Sequence, residues 1–153
     1  MKTMEIQKLH SHAMELADKA DLLRRQGKAD EASVLFRQSF EAERKAAMAA
    51  RQQQIGEPTE SVLFRSAATL AYTIGDYREA ERLVCLGLAG NPPAEITEEL
   101  RSLYDTVSME WTISQIDSAP ASTEQESVTI TIPIRERNLL NVLVRKFGWA
   151  CVL

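Results

Sequence analysis

Two glycines, Gly27 and Gly75, occupy the same place in two copies of one short pattern, and that pattern limits the possible folds more than any other feature of the chain. The first copy reads Gly27-Lys28-Ala29-Asp30-Glu31-Ala32 and the second Gly75-Asp76-Tyr77-Arg78-Glu79-Ala80, so both fit Gly-x-x-x-Glu-Ala. An alanine stands at one offset before each glycine, Ala20 and Ala68, and an apolar residue at one offset after it, Phe36 and Val84. Glycine adopts the left-handed conformation that stops a helix at little steric cost. Asp76 is placed to accept from the free N–H groups of the helix that follows. Small residues on both sides of such a turn let two helices cross closely, with a bulky residue filling the wedge. Each copy therefore specifies a helix, a tight turn and a second helix packed back on the first.

Apolar residues at helical spacing extend this reading to about five helices. Over residues 5–26 the stripe is Leu9, Ala13, Leu16, Ala20 and Leu23. A long second helix carries Ala32, Val34, Leu35, Phe36 and Phe40 and runs through an alanine-rich stretch to about residue 54, with its distal half polar on most faces. Gly56 and Pro58 end it, since proline cannot extend a helix. Thr59 is the expected N-cap of a third helix containing Val62, Leu63, Ala67, Leu70 and Ala71, with Glu60 in its first turn. A fourth helix, 77–88, presents Ala80, Leu83, Val84 and Leu88 and stops at Gly90-Asn91-Pro92-Pro93. A fifth, 94–111, carries Ile96, Leu100, Leu103, Tyr104 and Val107.

In these residues the chain resembles the tetratricopeptide repeat family, whose helix-turn-helix unit is about 34 residues long. The second copy matches better, with Asn91-Pro92 where that family places its repeat-ending proline. The first lacks that proline and runs about one and a half heptads longer than the family's unit. The block of residues 57–68 is also similar to small bacterial proteins of this repeat type. The resemblance implies a mainly α fold of antiparallel helical hairpins and a groove, lined by the first helix of each pair, that takes an extended peptide or a helix. Carried onto this sequence, the groove candidates are Asp21, Arg24, Arg65, Thr69 and Tyr72. Arg65 suits bidentate recognition of a carboxylate, and Tyr72 offers a flat apolar contact with a polar tip. The Lys/Asn pattern by which some members clamp a C-terminal carboxylate is not reproduced, since Ala17 and Asp21 stand there.

Character changes after the fifth helix. The helical domain is expected over 5–112, a flexible linker over 113–127, and a strand-helix tail over 128–153. The linker contains Ser118-Ala119-Pro120-Ala121-Ser122-Thr123. Val128, Ile130, Ile132 and Ile134 alternate with polar residues until Pro133 interrupts, which predicts a strand near a sheet edge. Leu139, Leu140, Leu143, Val144 and Phe147 form the apolar face of a short helix. A lone strand and helix cannot bury such a face, so Val128, Ile130, Ile132, Ile134, Leu140 and Leu143 are expected in self-association or docking. The tail resembles strand-helix segments of small bacterial antitoxin-like proteins and, more loosely, ribbon-helix-helix regulators. It carries net +3 within a chain of −4.

The overall charge gives no general reason to expect nucleic-acid binding. No apolar run is long enough for a transmembrane helix. No signal-peptide pattern opens the sequence, so a cytoplasmic location with Cys85 and Cys151 reduced is expected. His10 and His12 diverge on a helix and read as a solvated pair, while Cys85 among Leu83, Val84 and Leu86 reads as a small core residue. No phosphate loop, nucleophile elbow or zinc spacing occurs. The expectation is a non-catalytic interaction module without cofactor or metal, binding a protein or peptide and self-associating through its tail. The alternative is a regulatory component, such as an antitoxin, acting through the basic tail.

Overall fold

In a computed structural model of the chain, residues 2–118 are described. They form five helices: α1 Lys2–Arg25, α2 Ala29–Gln52, α3 Thr59–Thr73, α4 Tyr77–Leu88 and α5 Ala94–Ser118. Backbone packing divides the chain into two units, Met1–Ser114 and Gln115–Leu153. The expected strand 128–134, the helix after it, and Val128, Ile130, Ile132, Ile134, Leu140 and Leu143 lie outside the described residues. Within the described part of the expected linker, α5 continues past Trp111 to Ser118 and buries Ile113.

The two copies of the glycine pattern fold alike. Gly27 and Gly75 have φ of +79° and +80°. In the first, the N–H of Gly27 donates to Arg24 O (3.1 Å) and that of Lys28 to Leu23 O (3.0 Å). In the second, Gly75 donates to Tyr72 O (3.0 Å) and Asp76 to Ala71 O (2.9 Å). Each left-handed residue thus turns two N–H groups onto carbonyls that the helix end would leave free. Asp76 accepts from the Glu79 N–H at 3.2 Å, as expected of a cap. The same pair of bonds closes α2, but with Gln54 at φ +52° in the position glycine holds elsewhere. At the start of α3 the cap differs from expectation. Thr59 is already helical, and it is the Glu57 carboxylate that accepts from the Ser61 N–H at 3.1 Å.

Neighbouring helices pack in chain order, α1 on α2, α2 on α3 and α3 on α4. The contacts are made by alanine. Ala13, Ala20, Ala46, Ala47, Ala50, Ala67, Ala68, Ala71 and Ala80 are all fully buried. Into the wedges go Phe36, Phe40, Phe64, Leu83, Val84, Leu100 and Val107, each of which stabilises the fold by roughly 1.5–3 kcal/mol on burial. The matched positions of the repeat, Ala20 with Ala68, Ala32 with Ala80 and Phe36 with Val84, are buried throughout. Gly87 on α4 does similar service, since a Cβ there would stand 3.1 Å from Leu100 and 3.2 Å from Phe64. The distal half of α2, read as polar on most faces, has instead a buried seam of Glu43, Ala46, Ala47 and Ala50. Val34, assigned to the apolar stripe, is exposed.

Arg51 ties three helices at one end. Its Nε donates to Glu60 on α3 at 2.6 Å, an Nη donates to the Leu86 carbonyl on α4, and its guanidinium lies 4.5 Å from the Phe64 ring centroid.

Gln54→Gly removes a side chain from a left-handed backbone position and is expected to raise unfolding stability by up to about 1 kcal/mol, whereas Gly75→Ala lowers it by about 1 kcal/mol. Urea unfolding of both variants checks this, and equal shifts of one sign would contradict it.

Candidate functional site

The central helix α3 is nearly enclosed, with Ser61, Leu63, Phe64, Ala67, Ala68, Leu70 and Ala71 all buried. What it leaves open is a face at helical spacing, in which Val62, Arg65, Ser66 and Tyr72 are half-buried and Thr69 and Thr73 are exposed. Three of the five expected groove residues therefore share one face, as residues three and four apart on a helix must. Asp21 and Arg24 are on α1, joined to each other at 2.6 Å, with the Arg24 guanidinium 5.4 Å from the Phe36 ring centroid.

The stripe on α3 is flanked by α5. The Arg65 guanidinium donates to the Glu99 carboxylate. Further along, Glu110 lies close enough to the Tyr72 hydroxyl to act on it electrostatically. Later residues of α3 thus meet later residues of α5, so the two helices run in the same direction. Tyr72 packs against Tyr77 at the head of α4, with centroids 5.8 Å apart and planes at 48°. Burial, then the Glu110 and Tyr77 charges, holds the Tyr72 phenol above its ordinary range, so it remains a neutral donor and acceptor at physiological pH. Beside it, the Arg78 guanidinium lies 5.0 Å from the Trp111 ring centroid. Thr69 spends its hydroxyl on the Arg65 carbonyl at 2.9 Å. Arg65 already has a carboxylate partner in Glu99, so a partner acid would have to compete for it.

On the other side of α3 lies a cluster that sequence reasoning missed. Glu43 of α2 is completely buried. Nδ1 of His10 on α1 donates to both its oxygens at 2.9 Å, and Ser66 of α3 hydrogen-bonds it as well. One carboxylate therefore links three helices. His10 is not the solvated residue expected. His12 is exposed and lines a shallow depression with Leu9, Arg37, Ala42 and Lys45. The signal was present: Glu43 continues the stripe Ala32, Phe36, Phe40 at core phase, where a charged residue must find a partner. Just beside it, Ser39 is buried too and donates to the Ala13 carbonyl at 2.7 Å. Cys85 is also corrected, being exposed on α4, because Ala80, Leu83, Val84 and Gly87 set the buried face and position 85 falls off it.

Among the described residues no three His, Cys, Asp or Glu side chains gather as a metal site would require, and no helix is long and apolar enough to cross a membrane. No protein-family model, curated protein or solved structure matches the chain.

Burial raises the Glu43 carboxyl above its ordinary value of 4.5, with the hydrogen bond and charge of His10 opposing the shift. The folded chain then holds this proton more tightly than the unfolded chain. The corresponding stability is fully present below pH 4.5 and is lost as pH rises through the raised folded value. Glu43→Gln keeps the shape and removes the titration. Thermal melts between acid and neutral pH should show the Gln variant gaining on wild type as pH rises above the ordinary carboxyl range, and a difference constant with pH would refute the assignment.

Proposed function

We propose that this chain is a non-catalytic protein–protein interaction module of tetratricopeptide-like type, holding a peptide or helix of a partner along the α3 stripe. The observation that carries this reading is the open face of an otherwise enclosed helix, where Arg65, Thr69 and Tyr72 stand between α5 on one side and the His10–Glu43 cluster on the other. A helix packed on both flanks presents side chains to a partner with its backbone already ordered, which lowers the entropic cost of binding. Two further features support the repeat comparison. The turns at Gly27 and Gly75 are closed by the same two hydrogen bonds. Arg65 and Glu99, neighbours on successive first helices, lie 34 positions apart, the period of that family. Asp21 and Arg24 on α1 join the proposal on the repeat resemblance alone. Self-association through residues 128–153 completes the proposal on sequence grounds, as does a cytoplasmic location.

Affinity capture from native lysate on the immobilised full chain tests it. Wild type should retain a defined set of proteins that Arg65→Glu with Tyr72→Ala loses, with a cooperative thermal melt showing that the double variant is still folded. Identical retention by both would remove the stripe from consideration. Retention of the chain on duplex DNA, falling steeply with salt, would instead favour a regulator acting through the basic tail.

A further inference from the structure

We propose that the outer face of the α1–α2 hairpin is a second recognition surface, taking an extended acidic peptide whose carboxylates alternate with apolar side chains. None of its lining residues belongs to α3, so the inference stands apart from the groove reading.

Two depressions adjoin at His12. One, of about 350 Å³, lies between α1 and α2, with Leu9 and Ala42 in its lining and Arg37 and Lys45 beside them. The other, of about 500 Å³, runs along α1 from Met4 to Glu15 and includes Lys8. That row spans roughly 16 Å at the rise of a helix, the length of about five residues of extended chain. Both depressions are shallow and open to solvent. A small molecule needs a pocket that buries most of its surface, whereas a peptide laid across both gains contacts from each in turn.

Charge selects the peptide. His12 aside, the two linings carry Lys8, Arg37 and Lys45 against Glu15 and Glu41, a positive excess on a chain of net −4. None of the ion pairs among the described residues uses Lys8, Arg37 or Lys45. Arg37, Glu41 and Lys45 stand four apart on one face of α2, so a single carboxylate sits between two cations and cannot neutralise both. A basic segment would set its charges against these three side chains. Met4, 62% exposed, and the half-buried Leu9 supply apolar contacts between the charges, which a wholly polar acidic chain would leave unused.

The test uses the purified full chain and three fluorescein-labelled probes, read by fluorescence anisotropy at physiological salt. One is a short peptide alternating glutamate with leucine, one its counterpart with lysine for glutamate, and one a single-stranded oligothymidylate of similar length. The glutamate peptide should bind and the lysine peptide should not. Arg37→Gln with Lys45→Gln should weaken binding about tenfold, while Lys19→Gln, an exposed cation of α1 outside both linings, changes it less than about twofold. Thermal melts confirm that each variant is folded, and Lys8→Gln, expected to cost about threefold, serves if the double variant is not. Equal losses from Lys19→Gln and from the Arg37 and Lys45 pair would mean diffuse attraction and overturn the surface. A loss through Arg65→Glu and not through that pair would move the acidic peptide to the α3 stripe, overturning the surface while leaving the groove reading intact. Tighter binding of the oligothymidylate, lost with the same pair, would make the occupant a phosphate backbone and overturn the peptide. Binding of no probe would overturn the surface without touching the groove reading.

Discussion

The architecture rests on helices that meet through alanine. Nine fully buried alanines line the interfaces of α1 to α4, and a methyl group on each surface lets backbones come closer than leucine-on-leucine packing allows. Close approach has a cost in apolar area, because alanine buries little of it. The deficit is made up by a small set of large side chains, chiefly Phe36, Phe40, Phe64, Leu83 and Leu100, each inserted where two helices diverge. Close approach also brings polar groups of adjacent helices within reach of one another. Ser39 bonds the Ala13 carbonyl, and Glu43 reaches His10 and Ser66. A buried carboxylate of this kind contributes little net stability compared with an apolar core residue. It does, however, penalise any register of α1 against α2 that separates it from His10.

That constraint shapes the candidate site. With α2 and α4 covering α3 through their alanine faces, one stripe of α3 stays open, and its two margins are fixed by different chemistry. Toward α5 the link is the Arg65–Glu99 ion pair. On the opposite margin it is the Ser66–Glu43–His10 chain. Arg51 bridges α2, α3 and α4 near the start of α3. The result is a surface whose side chains vary freely in chemistry while their backbone is held rigid. This is a common arrangement for recognition, because it leaves little ordering to be done on binding.

The two glycine turns were legible because their physics is local. A glycine at the end of an apolar stripe, followed by a capping residue, stops one helix and starts the next, whatever lies around it. The extents of α1 to α4 followed from the stripes, since period and breakers are read within a few residues, whereas α5 runs to Ser118, past the expected end near residue 111. Three features resisted that reading. Gln54 takes a left-handed conformation that glycine marks elsewhere, so composition hid the turn. Thr59 looked like a cap, yet the helix already includes it, and the Glu57 carboxylate takes the Ser61 N–H instead. Cys85 looked buried beside Leu83 and Val84, and the 3.6-residue period places it on the outer face.

The groove residues divide along the same line. That Arg65, Thr69 and Tyr72 share a face follows from their spacing, and the sequence determined it by itself, together with the five helices of the described residues and the repeated hairpin turn. Which neighbours they meet did not follow. Arg65 with Glu99, Arg78 with Trp111, and His10 with Glu43 and Ser66 join residues far apart in the chain. Such pairings depend on the crossing and register of helices, which depend in turn on where every alanine and every wedge residue can fit at once. Helical periodicity is set by hydrogen bonds a few residues long. The partners of a side chain are set by packing over the whole unit, and only the tertiary structure decided them.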